Sequence, residues 1–421
     1  MAAGGEVRAC EGGLITHGPD PRRGGWIDAL FVERPSQQPA KVADELLDWI
    51  ATLPPLRTVG WWTTGTEHNG TLAATLLARG FQWGWQPHWM WLDLSEARPP
   101  FAVPEGIGTA RFPEDGDGGA DRLPLHVRDF GADRHALTHL DPPSTTVFAA
   151  FDRESVVGSV TLHISGPRTG LPQTTPAPVA GIYDCWVKPP FQRRGIGAAL
   201  TATAAARAEE LGCRVAVLNA TEMGERMYRR VGFRSAGWGQ TWWLVEKQLR
   251  APQPDAGTVR FVEAIGRGDV DALDDALAAL RARGSAPDLD AALLCGETPL
   301  GVAVGLKQPA TARRLMERGA QLDVISAWDL GWKDTAADLL RERPDLADRR
   351  SGELGATPLM VAVERDDEAL ARLLLTARPD LDIKDLRFGS DALGWAAHLK
   401  RPHLAALIRA AAARADEPRQ R

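Results

Sequence analysis

The chain has 421 residues, 44% of them hydrophobic and 25% charged, which is typical of two or three globular domains and excludes a wholly disordered or fibrous protein. Its 49 basic and 55 acidic residues give a formal net charge of −6, so no basic surface for nucleic acid is expected. Trp is unusually frequent, with 15 residues against 2 Tyr, and eight of the 15 Trp precede residue 92.

No targeting or membrane segment is visible. The start, MAAGGEVRAC, lacks the basic and apolar regions of a signal peptide, and no run approaches the ~20 apolar residues of a spanning helix. The four cysteines are scattered without a Cys-x-x-Cys pair, so buried free thiols are expected in place of disulfides or zinc. We therefore expect a cytoplasmic protein without a metal site or membrane partner.

Two proline-rich stretches, Arg98–Pro104 and Ala251–Asp255, divide the chain, because proline neither continues a helix nor fits a central strand. They predict domains of about 1–97, 101–249 and 256–415.

The first segment predicts alternating strands and helices that end in an aromatic strand. The predicted elements are Trp26–Val32 (strand), Val42–Ile50 (helix), Thr58–Trp62 (strand), Leu72–Ala78 (helix) and a Trp-rich strand within 80–92.

The middle segment predicts an α/β fold with a mixed sheet, because strands lie on both sides of crossing helices. The predicted strands are Val147–Phe151, Ser155–Ile164, Val179–Val187, Arg214–Leu218 and Trp238–Val245, and the predicted helices are Gly197–Leu211 and Glu222–Arg230. The first two strands are expected to form a hairpin.

The strongest chemical signal is the glycine-containing loop Gln192–Ala198, between a predicted strand and an Ala-rich helix. Glycine lets the backbone approach a ligand, and the N–H groups at a helix N-terminus attract an anion such as pyrophosphate. With the preceding Val187–Phe191 and the later run Met227–Phe233, this loop resembles the acetyl-CoA motif and the closing motif of the GCN5-related N-acetyltransferase family. The resemblance covers about residues 101–247 and implies that family's mixed-sheet acetyltransferase fold.

The resemblance also implies acetyl-CoA as co-substrate, with no metal. Backbone N–H groups of the loop would hold the pyrophosphate, and the end of the preceding strand would pair with the pantetheine arm and polarise the thioester. Asn219 would contact that arm or cap the following turn. The implied acetyl-CoA-binding residues are Trp186, Val187, Gln192, Arg193, Arg194, Gly195, Ile196, Gly197, Ala198 and Asn219.

Two side chains are candidates for catalysis. By its position in the family motif, Tyr228 would protonate the departing thiolate, because its reference pKa near ~10 is close to that of a thiol. The alternative is a buried aromatic that packs the helix on the sheet. Asp184 is a candidate base for the amine, directly or through water, and the alternative is a surface carboxylate on an alternating strand. His163 is a lesser candidate base.

An internal duplication links the first two segments. At a constant offset of about 152 residues, Gly80 and Phe81 match Gly232 and Phe233, and Trp91 and Leu92 match the pair at 243–244. The first copy has no glycine loop between its first strand and helix and no matching Tyr. We therefore expect a tandem protein whose degenerate first copy does not turn over acetyl-CoA, with its Trp-rich strands in a core or interface.

The last segment resembles an ankyrin array. Gly296–Leu300 and Gly355–Leu359 both read Gly-x-Thr-Pro-Leu, in which Thr is a favoured helix N-cap and Pro a favoured first helical residue. A second amphipathic helix follows each, at Thr311–Arg318 and Glu368–Thr376. Four to five repeats are expected as an all-α solenoid, with a shortened repeat between the two copies; a generic helical bundle is the alternative.

The function predicted is an acetyl-CoA-dependent N-acetyltransferase acting on a primary amine. The acceptor would be a peptide or protein, or a small molecule such as an amino sugar or an antibiotic, and the ankyrin-like segment favours a protein partner. The alternative is a non-enzymatic ankyrin scaffold with an acetyl-CoA-sensing domain.

Overall fold

A computed structural model describes most of the chain. The described residues form two compact units, Met1–Leu76 with Gly80–Gln253, and Pro254–Arg421 with the short stretch Leu77–Arg79. Within these units the described residues are 6–10, 13–18, 25–31, 39–65, 70–112, 145–153, 155–165, 178–351 and 354–416.

The first unit contains two sheets, and the first of them has six strands in the order β1-β2-β3-β4-β13-β5. Its strands are β1 (Glu6–Cys10), β2 (Gly13–Gly18), β3 (Gly25–Phe31), β4 (Leu56–Thr63), β5 (Gln82–Trp83) and β13 (Thr241–Val245), and the helices between them are α1 (Pro39–Ala51) and α2 (Gly70–Ala78). Strands β3 and β4 are parallel, and the other neighbours are antiparallel.

The second sheet has seven strands in the order β12-β6-β11-β10-β9-β8-β7. Its strands are β6 (His88–Asp93), β7 (Ile107–Phe112), β8 (Thr145–Asp152), β9 (Ser155–Ser165), β10 (Val179–Val187), β11 (Val215–Ala220) and β12 (Arg234–Trp238), and its helices are α3 (Ile196–Glu210) and α4 (Glu222–Val231). The short helix α5 (Glu246–Arg250) contacts β4 and β13 of the first sheet. Strands β8 and β9 form the predicted hairpin, and β10 and β11 are parallel. The predicted mixed α/β sheet is therefore confirmed.

The two sheets exchange strands. β6, from the first sequence segment, lies between β11 and β12 in the second sheet, where Met90 pairs with Leu218. β13, from the middle segment, lies between β4 and β5 in the first sheet, where Trp243 pairs with Gly60. Met90 and Leu92 are 1% and 2% exposed and belong to the same buried cluster as the residues of β11. Residues 88–93 are therefore part of the core of the second sheet.

The single final strand expected over Trp238–Val245 was wrong. The chain forms β12 and β13 there, separated by Gly239 and Gln240, and the two strands belong to different sheets. A Cβ atom on Gly239 would lie 2.0 Å from the Thr63 carbonyl oxygen, so only glycine fits where the chain crosses. The apolar pattern alone did not reveal this crossing, because both strands are aromatic.

Trp side chains from both sequence segments meet on the first sheet. The Trp62 ring lies 5.1 Å from Trp85, 6.1 Å from Trp89 and 5.3 Å from Trp243, measured between ring centroids. Edge-to-face and stacked arrangements at such distances are favourable beyond the burial of area. This cluster joins residues that are far apart in the sequence.

The second unit is helical, and its described helices follow one another in five pairs. They are α6 (Ala256–Arg267), α7 (Val270–Ala282), α8 (Pro299–Gly305), α9 (Pro309–Glu317), α10 (Val324–Asp329), α11 (Lys333–Glu342), α12 (Pro358–Glu364), α13 (Glu368–Thr376), α14 (Ala392–His398) and α15 (Pro402–Asp416). Thr298 and Thr357 cap α8 and α12 as predicted, with proline as the first helical residue. None of the described helices is both long and apolar enough to span a bilayer.

Candidate functional site

A cleft of about 640 Å³ opens in the second sheet where two parallel strands separate. β10 and β11 pair over only three residues each, ending at Gly181 and Val217. Beyond that point β10 continues to Val187, while β11 pairs on its other side with β6. Backbone N–H and C=O groups along this side of β10 therefore face the cleft instead of a neighbouring strand.

A β-bulge shapes the wall of the cleft. The register between β10 and β9 shifts between Tyr183 and Trp186, and Asp184 has a φ of 50°, which is uncommon for a residue other than glycine. Tyr183 and Asp184 are consequently both exposed, so the strict alternation assumed for this strand was wrong. The bulge turns both side chains toward the cleft that they line.

The predicted phosphate loop lies at one end of the cleft. Arg193 and Gly195 have φ values of 61° and 91°, and Gly195 is the N-cap of α3. The Gln192 side chain donates to the Val187 carbonyl at 2.9 Å, which ties the loop to the end of β10. The first N–H groups of α3 have no partner within the helix, and its first turn carries no acidic residue. The loop can therefore accept an anion.

Tyr228, on α4, lines the cleft and is only 8% exposed. Its hydroxyl lies beside the Cys185 thiol, whose sulfur lies 3.7 Å from the Thr201 hydroxyl. Burial raises the pKa of Tyr228 above its ordinary value, and the neighbouring Cys185 raises it further. The reference pKa assumed from the sequence therefore does not apply, and the hydroxyl stays protonated throughout the neutral range.

Asp184 also lines the cleft, and partial burial raises the pKa of its carboxyl. A raised pKa makes a carboxylate a stronger base, which suits proton removal from an amine. His163 is not among the residues that line this cleft, and its Nδ1 lies 2.7 Å from the Thr145 hydroxyl. Of the two candidate bases, the structure thus brings only Asp184 to the site.

The structure collects nearly all of the predicted binding residues in this one cleft. Those that line it are Trp186, Val187, Gln192, Arg193, Gly195, Ile196, Gly197, Ala198 and Asn219. Arg194 is the exception, because its guanidinium lies over the Phe191 ring at 5.5 Å from the centroid and the residue is not part of the lining. Asn219 lies within β11, and the following helix is capped by Thr221 instead.

Several lining residues were missed by sequence reasoning, and three of them bear on the chemistry of the cleft. Cys185 lies beside Tyr228, and burial raises the pKa of its thiol. Arg226 and Arg230 add positive charge to the cleft from α4. Their spacing of four residues puts both on one helix face, so the sequence carried a signal for them.

The parallel strands of the first sheet, β3 and β4, do not separate. β3 and β4 stay paired in parallel over all seven residues of β3, from Gly25 opposite Leu56 to Phe31 opposite Thr63. The backbone groups that face the cleft in the second sheet are therefore bonded to a neighbouring strand in the first.

Two family models match parts of the chain. Residues 120–233 match the acetyltransferase (GNAT) family, and residues 354–386 match the ankyrin repeat. A comparison with curated proteins finds no match. The matches support a GNAT-like mixed-sheet fold and a helical region that contains an ankyrin repeat.

The solved structures that resemble parts of the chain are distant in sequence. A GCN5-related N-acetyltransferase from Kribbella flavida is 16% identical, with 56% of this chain and 89% of that chain covered and a TM-score of 0.39. A tandem GNAT protein from the clavulanic acid biosynthesis pathway is 16% identical, with 60% and 86% covered and a TM-score of 0.40. A GCN5-related N-acetyltransferase from Ralstonia eutropha is 25% identical, with 30% and 92% covered and a TM-score of 0.22. Activity and substrate do not follow from likenesses at this level.

Proposed function

We propose that this chain is an acetyl-CoA-dependent N-acetyltransferase that transfers the acetyl group directly to a primary amine of a protein, a peptide or a small molecule. The observation that carries the proposal is the opening between β10 and β11, which runs from a glycine-capped helix N-terminus to the Tyr228 hydroxyl. The match of residues 120–233 to the GNAT family supports the same activity.

The residues of the cleft fit acetyl-CoA. The volume of about 640 Å³ lies within the range of ligand pockets. The N–H groups at the start of α3 suit the pyrophosphate, and Arg193, Arg226 and Arg230 add positive charge for a polyanionic ligand. The unpaired side of β10 can hydrogen-bond an extended amide chain such as the pantetheine arm, as a neighbouring strand would.

The two catalytic candidates have complementary roles. Asp184, with its raised pKa, takes a proton from the amine, and the free amine attacks the thioester carbonyl. Tyr228, which burial keeps protonated, gives its proton to the departing thiolate of CoA. The products are the acetylated amine and free CoA.

We further propose that the two sheets are tandem copies and that only the second is active. In each sheet a strand from the other copy lies next to the second strand of the parallel pair. β13 lies next to β4 in the first sheet, and β6 lies next to β11 in the second. The three segments 1–97, 101–249 and 256–415 then correspond to a degenerate copy, an active copy and an ankyrin array that recognises a partner or substrate.

One acetyl-CoA is expected to bind per chain. β3 stays paired with β4 over all seven of its residues, whereas β10 pairs with β11 only as far as Gly181 and has a free edge beyond it. Isothermal titration with acetyl-CoA should give a stoichiometry near one. A Gly195→Val variant, which forces a β-branched residue to a φ of 91°, should no longer bind acetyl-CoA. Two equivalent sites would contradict the proposal of a degenerate first copy.

The direct test measures how fast the purified chain releases the free thiol of CoA from acetyl-CoA. Small amines, peptides and cell lysates are supplied in turn as acceptors. Thiol release that depends on the acceptor is the expected result. A chain that neither binds acetyl-CoA nor releases thiol with any acceptor would overturn the proposal.

A further inference from the structure

His88 is the first residue of β6, the strand that the first sequence segment contributes to the second sheet. Its side chain is 1% exposed. The ring stacks on that of Trp238, the residue opposite on β12, with the centroids 4.3 Å apart and an angle of 7° between the planes. Because buried polar atoms usually have a hydrogen-bond partner, the surroundings of the two ring nitrogens indicate what this histidine does.

The two ring nitrogens of His88 face different elements. Nε2 lies 2.7 Å from the Ser235 hydroxyl of β12, and that hydroxyl also accepts a hydrogen bond from the Gly237 N–H at 3.2 Å. Nδ1 has no hydrogen-bond partner among the described residues, and it lies 3.6 Å from Oε2 of Glu225 on α4. An unprotonated Nδ1 would turn its lone pair toward a carboxylate, so this contact assigns a proton to Nδ1. His88 thus directs an N–H group at Glu225.

The Glu225 carboxylate has a different neighbour for each of its oxygens. Oε1 accepts a hydrogen bond from the Arg229 guanidinium, one turn further along α4, at 2.8 Å, and Oε2 faces His88. The Glu225 side chain is 23% exposed, so water and salt screen its attraction to His88 less than they screen a pair on the open surface. The contact therefore joins α4 to a strand of the first sequence segment.

The first half of α4 is held mainly by polar groups. The buried residues of this helix, Tyr228 and Val231, both lie in its second half. The N-cap Thr221 accepts a hydrogen bond from an N–H group of the helix itself, so it ties α4 to no other element. The contact between Glu225 and His88 is therefore a polar link between the first half of α4 and the sheet.

The Tyr228 ring lies against the turn that this link holds. A Cβ atom on Gly224 would lie 3.0 Å from Cε2 of Tyr228, so the ring passes close to the backbone of Gly224. Glu225 is the next residue, and its spacing of three from Tyr228 makes the two side chains neighbours on the helix surface. A shift of this turn therefore displaces the ring that carries the proposed general acid.

We propose that His88 is a positioning residue for acetyl transfer, which holds the first half of α4 through Glu225 and thereby keeps the Tyr228 hydroxyl beside the departing thiolate. Since His88 belongs to the first sequence segment, the copy proposed to be degenerate then supports the active copy without binding acetyl-CoA itself. This inference rests on the proposed function, because Tyr228 has a catalytic role only if acetyl transfer occurs.

Two substitutions at His88 separate positioning from packing. His88→Asn keeps an N–H group at the place of Nδ1, because Nδ2 of asparagine is bonded to Cγ as Nδ1 of histidine is, but it loses the ring. His88→Phe keeps a ring for the stack with Trp238 and has no N–H group for Glu225. Thiol release measures kcat, and isothermal titration measures the Kd for acetyl-CoA.

We expect His88→Phe to lower kcat about 10–10²-fold with an unchanged Kd for acetyl-CoA, because a small misplacement of a catalytic group is costly. His88→Asn should restore kcat to within about threefold of the original chain, since it keeps the N–H group that faces Glu225. If His88 only filled space beside Trp238, His88→Phe would be the milder of the two changes. That order, or equal losses in both variants, would overturn the proposal.

A double variant tests whether His88 acts through Glu225. Glu225→Ala removes the carboxylate that faces Nδ1 and should lower kcat as much as His88→Phe does. The combination of His88→Phe with Glu225→Ala should lose no more than either change alone, because both remove the same contact. Losses that multiply would mean that the two residues act separately, contrary to the proposal. Glu222→Ala, which removes an exposed carboxylate from the first turn of α4, is the control and should leave kcat unchanged.

Hydrogen exchange keeps this inference distinct from the proposed function. The amides of α4 should exchange about tenfold faster in His88→Phe and in Glu225→Ala than in the original chain, and at nearly the original rate in His88→Asn. A chain that shows this pattern but releases no thiol with any acceptor overturns acetyl transfer, while the link from His88 to α4 stands. Unchanged exchange of α4 in His88→Phe overturns the inference even if the chain is an active acetyltransferase.

Discussion

The Tyr228→Phe variant is expected to lose about 10²–10⁴-fold in kcat while it keeps its affinity for acetyl-CoA, the range typical for removal of a general acid. Phenylalanine keeps the ring contact with Phe233, whose centroid lies 5.9 Å away, so the packing of α4 is retained. Only the hydroxyl beside the Cys185 thiol is lost. The thiolate of CoA must then leave without a proton.

The chain offers a matched control, because its other tyrosine lines the same cleft. Tyr183 is 54% exposed and lies on the bulge beside Asp184. Tyr183→Phe should change kcat by less than about tenfold if its hydroxyl takes no part in proton transfer. Both variants are compared by thiol release for kcat and by isothermal titration for acetyl-CoA affinity. A Tyr228→Phe variant with unchanged kcat would contradict the acid role and favour the alternative of an acetyl-CoA-sensing scaffold.

The second large effect is expected from Leu92→Asp, a change in the first sequence segment that should abolish acetyl-CoA binding in the second sheet. Leu92 is 2% exposed, lies opposite Ala216 of β11 and belongs to the buried cluster that contains Tyr228. A carboxylate buried there without a partner costs several kcal/mol, which is a large part of the stability of a domain.

The control for this experiment is Leu92→Met, which conserves volume and should cost less than about 1.5 kcal/mol. Thermal unfolding followed by circular dichroism and titration with acetyl-CoA measure the two effects. If residues 1–97 only packed against an independent second copy, Leu92→Asp would leave acetyl-CoA binding intact. That outcome would contradict the exchange of β6.

Local signals indicated most of the predicted residues that the structure brings together in the cleft. The glycine loop, the strand before it and Tyr228 lie in one stretch of about 50 residues, in which each element fits a local pattern of propensity and capping. These elements come together because they are joined as strand, loop and helix. Both the elements and their order could therefore be predicted from the sequence. The residues missed beside them, such as Cys185, depend on the bulge that no local pattern showed.

The exchanged strands could not be predicted, because the aromatic runs at 80–92 and 232–244 are nearly interchangeable. Each could lie beside either β4 or β11 by hydrophobicity, and the choice depends on contacts such as that of Gly239 with Thr63. The shifted side-chain pKa values could not be predicted from the sequence either. The pKa of Tyr228 is raised by burial in a cleft that forms only when β10 and β11 separate.

The exchange of β6 and β13 also sets an order for folding during synthesis. β4 receives its neighbour only when residues 241–245 exist, so the first sheet stays incomplete until more than half of the chain has been made. Contacts between residues as far apart as Trp62 and Thr241 are typical of slow folding. The Trp-rich edge of β4 therefore stays open to wrong partners until residues 241–245 have been made, and an unpaired apolar strand edge of this kind favours aggregation of the nascent chain.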